Sequence, residues 1–117
     1  MRAKRPERDK EHVAHILLRI ERLKRFAARG KDDFLSSEEL HDAIERNFEV
    51  LGKAASRISD AVRKTHPEVA WRDVIGFRTI LAHDYEDVND LPTLEAQMQI
   101  ILRELQEVDR QGLEDSR

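Results

Sequence analysis

The stretch SSEELHDAIERNFEVLGKAASRISDAVRK, residues 36–64, decides the fold of this chain. Its apolar residues recur at three- and four-residue steps, which predicts one amphipathic helix with a continuous buried stripe. Ser36 and Glu39 have capping-box spacing, so we expect the helix to begin there. Gly52 costs about 1 kcal/mol relative to alanine in a helix interior, and we therefore expect another backbone to cross close to it. The predicted inward residues are Leu40, Ala43, Ile44, Phe48, Leu51, Ala55, Ile58 and Val62.

Helical periodicity also appears on both sides of this stretch. We predict a first helix over residues 9–29, a third from about Glu68 to about His83, and a last over about 91–109. Strand signals are close to absent. The chain therefore reads as an all-α bundle of four to five helices. The inward residues are Val13, Ile16, Leu17, Ile20, Leu23 and Ala27 in the first helix; Val69, Trp71, Val74, Ile75, Phe77 and Leu81 in the third; and Leu94, Met98, Ile101, Leu102, Leu105 and Val108 in the last.

Length and composition indicate one domain, residues 1–117, with a basic N-terminal extension over about 1–8 and a polar tail over about 110–117. The chain has no cysteine, which excludes disulfides and thiolate metal sites and favours the cytoplasm. Residues 1–12 lack the apolar core of a signal peptide. No apolar run approaches the roughly 20 residues that span a bilayer, so we expect no membrane association.

The charge of the chain is distributed unevenly. Residues 1–31 hold eleven Lys/Arg against four Asp/Glu, a net of +7, and residues 84–117 hold three against ten, a net of −7. A basic N-terminal region could bind nucleic-acid phosphates. The same division would equally favour association of a basic face with an acidic one.

A short polar motif, Arg78-Thr-Ile-Leu-Ala-His83-Asp-Tyr85, carries the chemistry that the sequence offers. Arginine grips phosphate through a planar fork of donors, and histidine can give or take a proton near neutral pH. On one straight helix Arg78 and His83 would lie about 140° apart. The helix must therefore bend near His83, or the two groups must line a cleft from different directions, such as a cleft shared with a second copy of the chain.

The order of several motifs resembles the HepT-like branch of the HEPN superfamily. The segments that carry the resemblance are Ala43-Ile-Glu-Arg46-Asn-Phe-Glu-Val-Leu-Gly52-Lys-Ala-Ala, Trp71-Arg72-Asp-Val-Ile-Gly76-Phe-Arg78 and His83-Asp-Tyr85. The resemblance runs from about residue 10 to residue 108. It implies a HEPN-type helical bundle that forms a homodimer, with the motif lining a cleft at the dimer interface.

The resemblance also implies an activity and a partner. The family's typical activity is metal-independent endoribonuclease cleavage of RNA without a cofactor, used as the toxin of a type VII-like toxin–antitoxin pair. Arg78 and His83 match the catalytic positions. Tyr85 matches the tyrosine onto which a minimal nucleotidyltransferase antitoxin transfers AMP to silence the nuclease. Arg46 matches a family arginine expected to bind phosphate or support the interface. Apart from the resemblance, Asp84 could orient His83 or could equally be an exposed loop acid.

Two other functions stay open from the sequence. Thr79 stands where the family commonly has asparagine after the motif arginine, which would suit a non-catalytic HEPN subunit that only binds and positions a nucleotidyltransferase. Alternatively, the chain is a helical interaction module without a nucleic-acid role. A metal site is not expected, because His12, His15, His41 and His66 show no metalloprotease-type spacing and are interpreted as exposed helix histidines.

Overall fold

The computed structural model describes residues 6–76 and 91–115, and all regular structure in these ranges is helical. The all-α prediction is confirmed. Within the described ranges a 3-10 turn, Pro6–Arg8, leads into six helices: α1 Asp9–Ala27, α2 Lys31–Ser36, α3 Glu38–Ser56, α4 Asp60–Thr65, α5 Trp71–Ile75 and α6 Leu91–Asp115. Among these described helices, none combines the length and the apolar character that a membrane span requires.

Helix α1 lies antiparallel to α3. Near the middle of α1, Arg19 contacts Asn47 of α3. At the start of α1, Asp9 accepts hydrogen bonds from the backbone N–H and the hydroxyl of Ser59, which follows α3, at 2.8 and 2.6 Å. Both Asp9 and Ser59 are buried, so a charged carboxylate is satisfied there by donors rather than by water.

Helix α1 also lies antiparallel to α6. Lys24 near the end of α1 pairs with Glu95 at 3.1 Å, and Lys10 near its start pairs with Asp109 at 2.5 Å. The basic first helix thus meets the acidic last helix inside one chain. The predicted association of a basic face with an acidic one occurs here, at least in part, within the molecule.

The core lies between α1, α3 and α6, and most of the predicted inward residues form it. Among the described residues Val108 is the exposed exception, at 64%, whereas the predicted inward residues Phe77 and Leu81 lie outside the described residues. Helix α6 continues to Asp115 instead of ending near 109, and every residue from 106 to 112 is exposed. Its last turns are therefore largely exposed to solvent, although Asp109 pairs with Lys10 of α1. The largest fully buried side chains are Phe48, Ile16, Ile20, Leu23, Ile44, Leu51, Ile58, Leu91, Met98, Ile101 and Val13.

The predicted helix over residues 36–64 is in fact two helices. Helix α3 ends at Ser56, and Ser59, with extended backbone, starts α4 by accepting a hydrogen bond from the Val62 N–H. The buried Asp9 carboxylate holds Ser59 in that position. Periodicity could not show the break, because Ile58 and Val62 keep the apolar spacing across it.

Three helix starts also differ from the predictions. The cap of α3 is Ser37, whose hydroxyl accepts from the Leu40 N–H at 3.2 Å, rather than Ser36. The preceding six residues form α2, which was not predicted, since they are too few to display a period. Helix α5 begins at Trp71 and not near Glu68.

Candidate functional site

The motif predicted from the sequence lies between α5 and α6, within residues 77–90. This segment lies outside the described residues, so its geometry stays a prediction. The residues concerned are Arg78, Thr79, His83, Asp84 and Tyr85. Arg46 is described, on α3, and so are the residues that lead into the motif.

Helix α5 crosses α3 at Gly52. A Cβ atom at this position would lie 2.7 Å from the carbonyl oxygen of Ile75 and 3.3 Å from that of Val74. Because a side chain of any size would clash with this backbone, only glycine allows the two helices to approach so closely. The predicted crossing at Gly52 is confirmed. It positions the end of α5 three residues before Arg78.

A groove of about 190 Å³ lies beside this crossing. Inside it, the Glu49 carboxylate lies 3.5 Å from both the Arg46 guanidinium and the Lys53 ammonium group. Both cations are well exposed, at 64% and 59%, and exposed ion pairs of this kind contribute little to stability. These cations could therefore turn to an anionic ligand at little cost. The groove is lined by Glu49, Gly52, Lys53, Ser56 and Ile75.

Arg46 also belongs to a second group of cations, which we call the arginine cluster: Arg19, Arg22 and Arg46. Arg19 donates to the Asn47 side-chain oxygen at 3.1 Å, and the Asn47 amide donates to the Ala43 carbonyl at 2.7 Å. Partial burial, together with repulsion from Arg22 and Arg46, lowers the pKa of Arg19. The cluster thus concentrates positive charge at the junction of α1 and α3.

The arginine cluster was not singled out from the sequence. Arg19 and Arg22 are three residues apart, so they share a helix face, and both lie in the region with net charge +7. The sequence did not show which helix packs against this face of α1. The one-dimensional pattern does not show that Arg46 and the buried Asn47 lie against the same face of α1.

His66 is not an exposed helix histidine, so that interpretation was wrong. Its side chain is only 10% exposed, and its two ring nitrogens lie 2.7 Å from Glu68 and 2.6 Å from Glu104. Burial lowers the pKa of His66, but hydrogen bonds to the two glutamates outweigh burial and raise it overall. Its backbone carbonyl accepts from the Trp71 indole at 3.0 Å. These contacts tie the connection before α5 to α6, a structural role at some distance along the chain from the motif.

One group of described residues has the spacing of metal ligands. Ligand atoms of His41, Asp42 and Glu45 lie within 4.8 Å of one another on α3. All three are at the surface, and exposed acidic groups commonly come together without a metal. The donor set by itself therefore does not define a metal site.

Comparison with known proteins places most of the chain in one family. Residues 16–110 match the family described as "Ribonuclease HepT-like". The chain is 30% identical over 103 residues to "Putative RNase TTE0752" of Caldanaerobacter subterraneus subsp. tengcongensis, covering 79% of this chain and 92% of that protein. It is 30% identical over 81 residues to "Probable ribonuclease HepT" of Thermococcus cleftensis, covering 68% of this chain and 74% of that protein. No solved structure gives a significant match.

Proposed function

The chain belongs to the HepT-like ribonuclease family, and from this premise we propose that it is a metal-independent endoribonuclease acting as the toxin of a toxin–antitoxin pair. One observation carries the proposal: the family match over residues 16–110 includes the whole Arg78-x4-His83-x-Tyr85 motif. Arg78 and His83 are the proposed catalytic residues. The proposed substrate is RNA, and the chemistry requires no metal and no cofactor.

In the proposed mechanism, the RNA supplies its own nucleophile. The 2′-hydroxyl attacks the adjacent phosphorus while one His83 removes its proton, and the bond from phosphorus to the 5′-oxygen breaks as that oxygen receives a proton from the protonated His83 of the second copy in the proposed dimer. The products are a 2′,3′-cyclic phosphate and a free 5′-hydroxyl. A positioned acid or base contributes roughly 10²–10⁴ in rate. Arg78 stabilises the extra negative charge of the transition state, which is often the larger contribution. Asp84 orients the His83 ring, and the Thr79 hydroxyl supports Arg78.

The surroundings of the motif support a phosphate ligand. Arg78 follows Ile75 by three residues, so covalent geometry alone keeps its Cα within about 11 Å of Ile75. Ile75 lines the groove together with Glu49 and Lys53, and the Glu49 carboxylate pairs with both Lys53 and Arg46. We therefore assign Arg46 a supporting role in binding RNA phosphate.

We further propose that the active form is a homodimer and that Tyr85 is the regulatory residue. A minimal nucleotidyltransferase partner would silence the nuclease by AMPylation: the Tyr85 phenolate attacks the α-phosphorus of ATP, and pyrophosphate leaves. The attached AMP places a phosphate charge and a purine beside Arg78, which neutralises that cation and obstructs RNA. Both statements rest on the family resemblance and on the motif.

The decisive experiment is cleavage of total RNA by the purified full-length chain in EDTA. We expect fragments ending in 2′,3′-cyclic phosphate from the parent chain and none from His83→Ala. His41→Ala is the matched control, because it removes another histidine at the surface of α3, and it should cleave normally. Equal cleavage by parent and His83→Ala, or cleavage that EDTA abolishes, would contradict the mechanism.

A non-catalytic HEPN subunit is the second candidate function, and Thr79 favours it. A threonine lacks the paired donor and acceptor of the family's usual asparagine. If this candidate is correct, the parent chain shows no cleavage even when mass spectrometry finds Tyr85 unmodified, yet it still binds the nucleotidyltransferase. Restoration of cleavage by Thr79→Asn would identify this substitution as the cause.

A further inference from the structure

The cations on the two sides of α1 have different neighbours. On the side facing α6, Lys10 and Lys24 each pair with a carboxylate of that helix. On the side facing α3, Arg19 and Arg22 have no carboxylate within ion-pair distance among the described residues. The N-terminal positive charge is therefore neutralised on one side of the helix and retained on the other.

The retained charge is held in place by a neutral group. Arg19 is oriented by the side-chain oxygen of Asn47, which is itself 6% exposed and tied to the Ala43 carbonyl. An aspartate at position 47 would neutralise Arg19, whereas asparagine fixes its position and leaves the charge available. Arg22 and Arg46 lie close enough to lower the pKa of Arg19. Gathering like charges in this way is unfavourable for the empty protein and favourable once an anion lies between them.

The arginine cluster is continuous with the groove at the α3–α5 crossing. Arg46 interacts with Arg19 on one side and with Glu49, a lining residue of the groove, on the other. The groove in turn is lined by Ile75, close in sequence to the proposed catalytic segment. A strand of RNA bound at that segment would thus reach the cluster past Lys53 and Arg46, which share the Glu49 carboxylate. An acidic protein surface would satisfy the charges as well, but this continuity favours the nucleic acid.

We propose that the arginine cluster, positioned by Asn47, binds the phosphate backbone of single-stranded RNA outside the scissile nucleotide. This inference rests on the proposed function and adds to it a contact surface and a substrate class. Arg19 and Arg22 would contact phosphates without reading bases, as guanidinium groups commonly do. Binding at this surface is consequently independent of sequence and sensitive to salt.

The test measures binding of the full-length chain to a short fluorescein-labelled 2′-O-methyl RNA, which lacks the nucleophile and cannot be cleaved. Fluorescence anisotropy over a salt series gives both Kd and its salt dependence. Arg19→Gln/Arg22→Gln should raise Kd about tenfold and reduce the salt slope by about 0.7 for each phosphate that the protein no longer neutralises. Arg103→Gln/Arg110→Gln, two exposed arginines on α6, is the control with the same change in charge and should bind like the parent.

A second variant guards against misfolding as an explanation. Asn47→Asp keeps all three arginines but places a carboxylate on Arg19, so it should also weaken RNA binding; because it loses the amide hydrogen bond to the Ala43 carbonyl, binding is compared at a temperature at which thermal unfolding shows both proteins to be folded. Unchanged Kd and slope in Arg19→Gln/Arg22→Gln would overturn the inference. So would a change of oligomeric state at unchanged RNA affinity, because the cluster would then contact protein. If the parent chain binds RNA without cleaving it, and these variants lose that binding, the RNA-binding role of the arginine cluster is upheld and the nuclease proposal is refuted.

Discussion

Replacing Gly52 with alanine tests whether the α3–α5 crossing controls the proposed active segment. The added methyl group would lie 2.7 Å from the Ile75 carbonyl oxygen, where ordinary contacts begin at 3.4 Å. The end of α5 must therefore move by about 0.7 Å or α3 must bend. Overpacking of this kind costs about 1–3 kcal/mol, and the higher helix propensity of alanine returns about 1 kcal/mol. We expect a net destabilisation of about 0–2 kcal/mol.

The expected effect of Gly52→Ala on activity is larger than its effect on stability. A misplacement of 1 Å in a catalytic arrangement can cost about 10²-fold in rate, and Arg78 follows Ile75 by only three residues. We therefore expect RNA cleavage to fall tenfold or more while the chain remains folded. Urea unfolding followed by circular dichroism and initial cleavage rates in EDTA measure the two effects separately.

Gly112 supplies the matched control. It lies in α6, and a Cβ atom there would meet nothing within 4 Å. Gly112→Ala should therefore raise stability by up to about 1 kcal/mol, through helix propensity alone, and leave cleavage unchanged. If Gly52→Ala stabilises the chain as much as Gly112→Ala does, and cleaves RNA at the parent rate, the crossing does not position the motif and the reasoning is wrong.

Three further predictions concern stability and regulation. The pKa of His66 is raised in the folded state, so this group stabilises the fold below pH 6.5, its ordinary pKa, and the stabilisation is lost as pH rises through the folded-state pKa. His66→Gln should therefore lower the urea midpoint more at about pH 6 than at about pH 9. The pKa of Glu68 is lowered by the same hydrogen bond, so its contribution is present above 4.5 and lost as pH falls further; equal effects of His66→Gln at all pH values would exclude this ion pair. Asp9→Ala should cost about 2–3 kcal/mol in urea unfolding, because it leaves the buried Ser59 donors without an acceptor, whereas Asp9→Asn, which keeps one acceptor oxygen for them, should cost less; the reverse order would contradict the assignment. Tyr85→Phe should stay active beside the nucleotidyltransferase and gain no AMP by mass spectrometry, and normal silencing of this variant would refute the AMPylation proposal.

The sequence predicted the long helices and their buried stripes better than the helix boundaries and the contacts between residues distant in the chain. The apolar stripes of α1, α3 and α6 could be recognised because each repeats over at least three turns. The close approach at Gly52 could be recognised because a glycine in a helix interior needs a compensating contact. The break at Ser59 could not, since it depends on a hydrogen bond that Ser59 donates to Asp9, 50 positions earlier. The same limit applies to His66, whose partner Glu104 is 38 positions away.

In the candidate site, too, a motif of consecutive residues could be predicted from the sequence, whereas a cluster formed by two helices could not. The proposed chemistry comes from an eight-residue motif together with the family resemblance of segments around it, and the geometry of the motif stays a prediction because it lies outside the described residues. The arginine cluster could not be predicted, because it exists only where α1 and α3 meet. Composition recorded a net charge of +7 over residues 1–31 but could not tell which of these cations the acidic last helix neutralises.

The packing of α1 distinguishes the N-terminal cations that pair with carboxylates of α6 from those that do not. An antiparallel α6 lies along α1 and pairs with Lys10 and Lys24. An antiparallel α3 presents a neutral asparagine to Arg19 instead. If the positive charge served only solubility, carboxylates on α3 would be equally acceptable neighbours and would remove the repulsion. The retention of uncompensated arginines on the side continuous with the α5 groove is therefore the structural reason to expect a polyanion there, and RNA is the polyanion that the proposed chemistry requires.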